Sequence, residues 1–212
     1  MNAFPSSDLA SLEAAGLACA RGGRPVFRKL DFRIKAGEAL SLEGPNGAGK
    51  TSLLRMLGSY LAPLAGRISL TTKAGAEITD AEERGRYIGW LGHQDGVKPQ
   101  LTTSEMLAFY AGYYDRPCDI PAALDAVGLL RARDLPGQYL SAGMKKRLAL
   151  ARLKLSARPI WLLDEPLAAL DVSAKRLVAE MIVSHCAHGG MVIAATHESL
   201  GIDCAKLVLG AA

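Results

Sequence analysis

Gly44-Pro45-Asn46-Gly47-Ala48-Gly49-Lys50-Thr51 is the stretch that decides the fold. Its glycines let the backbone curl into a nest whose N–H groups point at anionic oxygens. Ala39 to Glu43 reads as a short strand running into it, and a helix starting near Gly49 carries Leu53, Leu54 and Leu57 on one face. A strand, a glycine-rich turn and a helix N-terminus together make a phosphate site, because the loop amides and the helix dipole converge there. The spacing predicts that the backbone from Gly44 to Ser52 wraps the phosphates, that Lys50 reaches the β- and γ-phosphates, and that Thr51 offers its hydroxyl to Mg²⁺. The bland alternative is a glycine-rich turn that fits by accident, and the flanking strand and helix argue against it.

Working outward, Pro159-Ile160-Trp161-Leu162-Leu163-Asp164-Glu165 sets two acids at the end of an apolar strand. Parallel sheets bury such strands on both faces, and ligands bind beyond their carboxyl ends. Asp164 is thus expected to hold Mg²⁺ through water, and Glu165 to orient and deprotonate a water attacking the γ-phosphate. The competing reading is that Asp164-Glu165-Pro166 merely opens the next helix.

The rest of the chain alternates in kind. Leu30, Phe32 and Ile34 alternate with Lys29, Asp31, Arg33 and Lys35, the period of half-buried strands, and Arg21-Gly22-Gly23-Arg24-Pro25 is a turn between two of them. Arg67–Thr72 and Tyr87–Gly92 read as further strands. Helices follow at about 102–114, 120–130 and 141–156, then strand and helix alternate again through 172–187, Met191–Ala195 and Leu207–Leu209. The expectation is an α/β fold in one domain over 1–212: a mostly parallel sheet flanked by helices, an antiparallel β part at about 8–43 and 66–78, and a helical insertion at about 95–157.

Composition narrows the function classes. The 212 residues are 50% hydrophobic and 22% charged, which supports a packed core. A net charge of +4, from 25 basic and 21 acidic residues without a run of five or six like charges, gives no footprint for nucleic acid. The four cysteines (Cys19, Cys118, Cys186, Cys204) lie far apart and read as reduced thiols. Asp8 and Glu13 interrupt any signal-peptide pattern at the N-terminus, and the stretch from Met181 to His197 is too short and too polar to span a bilayer. A membrane role is therefore expected to run through partners.

Leu140-Ser141-Ala142-Gly143-Met144, followed by Lys145-Lys146-Arg147, narrows the class. A serine and small residues at a helix N-terminus expose a hydroxyl and amides to an anion, and the three basic residues are expected to add positive potential. An ordinary N-cap on a basic surface helix would look alike. The segment resembles the L-S-G-G-Q signature of the ATP-binding cassette (ABC) ATPases. So does the order of the remaining motifs: Gln94 after a strand like the Q-loop glutamine, Leu170-Asp171 like the D-loop, and Thr196-His197 like the switch histidine.

That resemblance covers about residues 12–209 and implies an ATP hydrolase working as a head-to-tail homodimer. Each ATP would touch one subunit's phosphate loop and, in trans, Ser141, Ala142, Gly143 and Met144 of the other. Gln94 and His197 would join Glu165 in catalysis, and Gln94 would join Thr51 and Asp164 around Mg²⁺. Met144 stands where the family carries glutamine and cannot donate the same hydrogen bond. The aromatic that usually stacks on adenine is missing near Arg21-Gly22, leaving the Arg21 guanidinium or Phe27 as substitutes.

Glu43–Arg55, Leu91–Lys98 and Gly189–Ile193 look like the cytochrome c maturation (haem exporter) subgroup. This implies integral membrane subunits as partners at the cytoplasmic face of a bacterial inner membrane, in haem export or haem-chaperone release. A different ABC transporter ATPase, or a soluble cassette ATPase, remains the alternative, while a small-molecule kinase leaves Leu140–Arg152 without a role. His185-Cys186-Ala187-His188 reads better as a polar helix end than as a haem ligand pair.

Overall fold

A computed structural model describes residues 8–92 and 95–210. Two sheets divide the strands. The first is antiparallel, built from β1 (Leu9–Arg21), β2 (Arg24–Lys35), β4 (Ala65–Thr72) and β5 (Glu77–Ile78) in the order β2-β1-β4-β5. Gly22 and Gly23, at φ 54° and 76°, close the β1–β2 hairpin, because a two-residue turn matching the strand twist needs two left-handed residues.

The second sheet runs β6-β7-β8-β3-β9 and is wholly parallel, from β3 (Ala39–Glu43), β6 (Ile88–Leu91), β7 (Ile160–Asp164), β8 (Met191–Ala195) and β9 (Ala205–Val208). Residues 39–43 therefore leave the antiparallel part to which the sequence pattern assigned them. Ala39 to Leu42 are buried, as a strand between two parallel neighbours must be.

Side chains on β7 alternate between two cores. Ile160 and Leu162 pack with Leu53, Leu54 and Leu57 of α1 (Lys50–Leu57) and with Leu12 and Leu17 of the antiparallel sheet. Trp161 and Leu163 face Leu150 and Leu153 of α5 (Ala142–Leu155) and Val178 and Ile182 of α6 (Val172–Ala187). A third cluster joins α5 to α3 (Thr103–Tyr113) and α4 (Ile120–Asp125) through Met106, Leu107, Leu124 and Leu148. Thr102 and Glu105 form a capping box at the start of α3.

The helix expected over 120–130 stops at Asp125, since Gly128 at φ 66° turns the chain and the Leu129 amide folds back onto the Leu124 carbonyl at 2.8 Å. The short α2 (Ala81–Gly85), capped by Asp80, was not foreseen. Among the described residues no helix is long and apolar enough to cross a membrane.

Candidate functional site

Because β3, β7 and β8 are parallel, their carboxyl ends open on one side. Leu42 and Asp164 both lie opposite Ala195, so the phosphate loop, the two acids and Thr196-His197 converge from three distant parts of the chain.

The loop is a backbone cradle. Gly44, Gly47 and Gly49 hold φ of 138°, 85° and 99°, where side chains are strained. A Cβ at Gly44 would strike the Leu209 carbonyl, and one at Gly49 would lie 2.5 Å from Val26 Cγ1, so the loop sits flush against β2 and the end of β9. Ala48 and Ser52 are buried, while Pro45, Asn46 and Gly47 stay accessible.

Lys50 is buried, and its ammonium donates to the Gly44 carbonyl at 2.6 Å and the Pro45 carbonyl at 3.4 Å, with His197 Nε2 at 3.3 Å. Glu165 Oε1 lies 3.5 Å from His197 Nε2.

Glu165 has φ 50°, an uncommon conformation for a non-glycine residue that costs about 1 kcal/mol. Its N–H still donates to the Ala195 carbonyl at 2.9 Å, so the sheet ladder holds the residue while the left-handed turn aims its side chain at the rim. Strain held in place by the surrounding structure is typical of functional positions.

Thr51 Oγ1 lies 3.1 Å from both oxygens of Asp164. A hydroxyl and a carboxylate are hard oxygen donors that suit Mg²⁺, which takes few protein ligands and completes its shell with phosphates and waters. Among the described residues no group of three His, Cys, Asp or Glu forms a metal cage. The pair thus fits a magnesium ion that arrives with its nucleotide.

The signature segment lies apart from this rim. Ser141 caps α5, accepting from the Met144 amide at 3.2 Å, and Ser141 and Ala142 are exposed. Gly143 lies against the backbone at Ala169, where a Cβ would approach the Ala169 carbonyl to 2.8 Å. Asp171 caps α6, and the hydrogen bonds it accepts from Ala174 and Ser173 lower its carboxyl pKa. Met144 is half-buried on the helical cluster.

Two readings of the sequence change here. Lys146 is buried and ion-paired with Asp95, and Arg147 donates to the Val127 and Gly128 carbonyls at 3.2 and 3.0 Å, so two of the three basic residues serve the fold and not an anion. Phe27 is buried in the core beneath Gly49 and presents no face to a base, whereas Arg21 is exposed at the hairpin. Gln94 and His93 lie outside the described residues. His185, in turn, points inward and stacks on Trp161 with ring centroids 3.9 Å apart, so it is a core residue, whereas His188 is exposed at the helix end.

Two positions escaped the sequence reading. Lys175 forms an ion pair with Glu198, tethering the loop after His197 to α6. Ala169, at φ 62°, abuts the signature helix. The only sequence signal for that second contact was the small residue at 143.

A glycine-lined phosphate cradle with a lysine, a hydroxyl–carboxylate pair and a strand-end glutamate defines a nucleoside-triphosphate hydrolase of the P-loop class. The ABC transporter family model matches residues 27–168. The cytochrome c biogenesis ATP-binding export protein CcmA of Rhodopseudomonas palustris (strain BisB5) is 50% identical over 202 residues, covering 95% of this chain and 98% of that protein. The protein of the same name from Bradyrhizobium diazoefficiens is 45% identical, covering 94% and 98%. A Pyrococcus furiosus ABC transporter ATP-binding protein matches with a TM-score of 0.80 at 26% identity, over 94% of this chain and 98% of its own. The ATP-bound structure of a bacterial Atm1-family ABC exporter shares the fold at TM-score 0.80 and 24% identity, over 99% of this chain and 39% of the exporter chain. This chain belongs to the ABC transporter family, and it is an ATP-binding, ATP-hydrolysing member of it.

Proposed function

We propose that the chain is the ATPase of a membrane complex in cytochrome c biogenesis, acting as an ATP-dependent head-to-tail homodimer on the cytoplasmic face of a bacterial inner membrane. Its partners are integral membrane subunits that export haem or release a haem-carrying chaperone. The observation that carries this reading is the near-full-length identity, up to 50%, with proteins named for cytochrome c biogenesis export.

In the mechanism, the backbone from Gly44 to Ser52 and Lys50 bind the triphosphate. Thr51 and Asp164 would hold Mg²⁺, which when bound neutralises charge on the β- and γ-phosphates. Gln94 is assigned to the same ion and to the attacking water. Glu165 accepts the proton of that water as general base. His197, within 3.5 Å of both Glu165 and Lys50, holds the γ-phosphate end in line. Ser141 and the amides of Ala142, Gly143 and Met144 are assigned to the nucleotide on the opposing subunit, which the exposure of Ser141 and Ala142 at a helix N-terminus supports.

We read the segment after Gln94 through Arg133 as the docking surface for the membrane subunits. Phe109 and Tyr113, 61% and 72% exposed and stacked one turn apart on α3, support that assignment.

The test is affinity purification from solubilised membranes. Co-purification with integral membrane subunits, together with loss of haem-stained c-type cytochromes when the gene is deleted, is expected. Recovery with soluble partners alone, and unimpaired cytochromes, would refute it.

A further inference from the structure

Lys146 is a buried charge outside the phosphate loop, and lysine is almost never fully buried unless paired. Its Nζ lies 3.0 Å from Asp95 Oδ1, with the two side chains 6% and 17% exposed. Among the described residues that oxygen has no well-directed hydrogen-bond donor, so its attraction to Lys146 is mainly between charges. A pair sunk this deep pays desolvation, and apolar residues of similar size would hold the helix about as well. What the ionic pair adds is a fixed register between two segments. We infer that Asp95 and Lys146 form a positioning pair that locks the signature helix to the segment leaving β6, and so sets where Ser141 meets a nucleotide on the second subunit. The inference rests on the head-to-tail reading above.

The surroundings of the pair make this lock directional. Lys146 is five residues beyond Ser141 on the same helix, a rise of about 7.5 Å, so its anchoring fixes the cap's position along the helix axis. Beside Asp95, Gly96 takes φ 65°, and a Cβ there would lie 2.7 Å from Arg152 Nη1, so the chain slides beneath that guanidinium. Arg152 itself lies over the Tyr110 ring at 4.9 Å and donates to its hydroxyl at 3.3 Å. Residues 95 and 96 are thus clamped to α5 at two points, Lys146 and Arg152. At its amino end the same helix bears on Ala169 through Gly143. Helix α5 therefore transmits any displacement of the 95–96 segment to Ser141 as a rigid bar.

Breaking the pair on one side leaves a buried charge, whereas removing both sides does not. Asp95→Asn and Lys146→Met are each expected to lower the thermal midpoint, and the double variant to recover most of that loss. Hydrolysis separates a lock from simple packing. In the double variant kcat is expected to stay at least about tenfold below wild type, while a fluorescent ATP analogue binds the monomer with wild-type affinity. A double variant that is stable and hydrolyses ATP at the wild-type rate overturns the positioning role and leaves the head-to-tail reading standing. Failure of the unmutated protein to hydrolyse ATP, together with a Glu165→Gln protein that stays monomeric, overturns both.

Discussion

The rim of the parallel sheet and the signature helix are built in opposite ways. At the rim, groups far apart in sequence are already within reach of one another: Lys50 meets His197 at 3.3 Å, and Thr51 meets Asp164 at 3.1 Å. At the signature helix, Ser141 and Ala142 stand exposed, with the serine hydroxyl engaged by its own helix. The rim has the features of a phosphate-hydrolysing centre inside one subunit. The signature presents donors at an exposed helix N-terminus, which the proposed function assigns to a nucleotide on a second subunit. On the head-to-tail proposal, that difference would make a single chain half of two sites.

The largest expected effect breaks the rim alone. Lys50→Ala removes the only ammonium among the cradle residues, so nucleotide binding or hydrolysis should be abolished while far-UV circular dichroism is unchanged. Retained wild-type hydrolysis would dissociate the chemistry from the rim.

A second test strikes the sheet beneath it. His185 is stacked on Trp161, and burial, partly offset by a backbone hydrogen bond at Pro159, brings its pKa down to about 4 from 6.5. The unfolded chain binds the proton first as pH falls. Stability is therefore complete above about pH 6.5 and is lost progressively towards pH 4, by about 3 kcal/mol at most. Chemical denaturation at pH 7 and pH 4.5 measures this, and His185→Phe should flatten the slope. An unchanged slope in that variant would assign the acid sensitivity elsewhere.

The smallest effect sharpens the signature side. Met144→Gln offers a donor to the opposing nucleotide but gives up thioether packing on the helical cluster. ATP-driven dimerisation should tighten by about 1 kcal/mol, with a small loss of thermal stability. Analytical ultracentrifugation reads the first and calorimetry the second. A looser dimer would show that Met144 itself packs at the subunit contact.

The same contrast explains what was legible in the sequence. The phosphate loop and the strand-end acids are local patterns whose chemistry follows from spacing, and α6 begins and ends where its pattern said, at Val172 and Ala187. Ala39–Glu43 carried the right strand signal but no mark of its neighbours, because pairing with β8 and β9 is settled by residues more than a hundred positions away. Lys146 looked solvent-exposed within a basic run, since nothing local announces that Asp95 will fold over it. Glu165's left-handed backbone was equally silent, being imposed by the ladder to Ala195 and not by its own preference. Local chemistry was readable, whereas burial and strain imposed by distant segments were not.

The most direct test joins the two regions in one measurement. Glu165→Gln keeps the side chain's shape and removes the base, so hydrolysis should fall by roughly 10²–10⁴-fold while Lys50, Thr51 and Asp164 still bind nucleotide. With ATP and Mg²⁺, size-exclusion chromatography with light scattering should find this variant at twice the 22.4 kDa chain mass, and at the single mass without nucleotide. A variant that binds ATP yet stays monomeric, alone and with its membrane subunits present, would contradict the head-to-tail site.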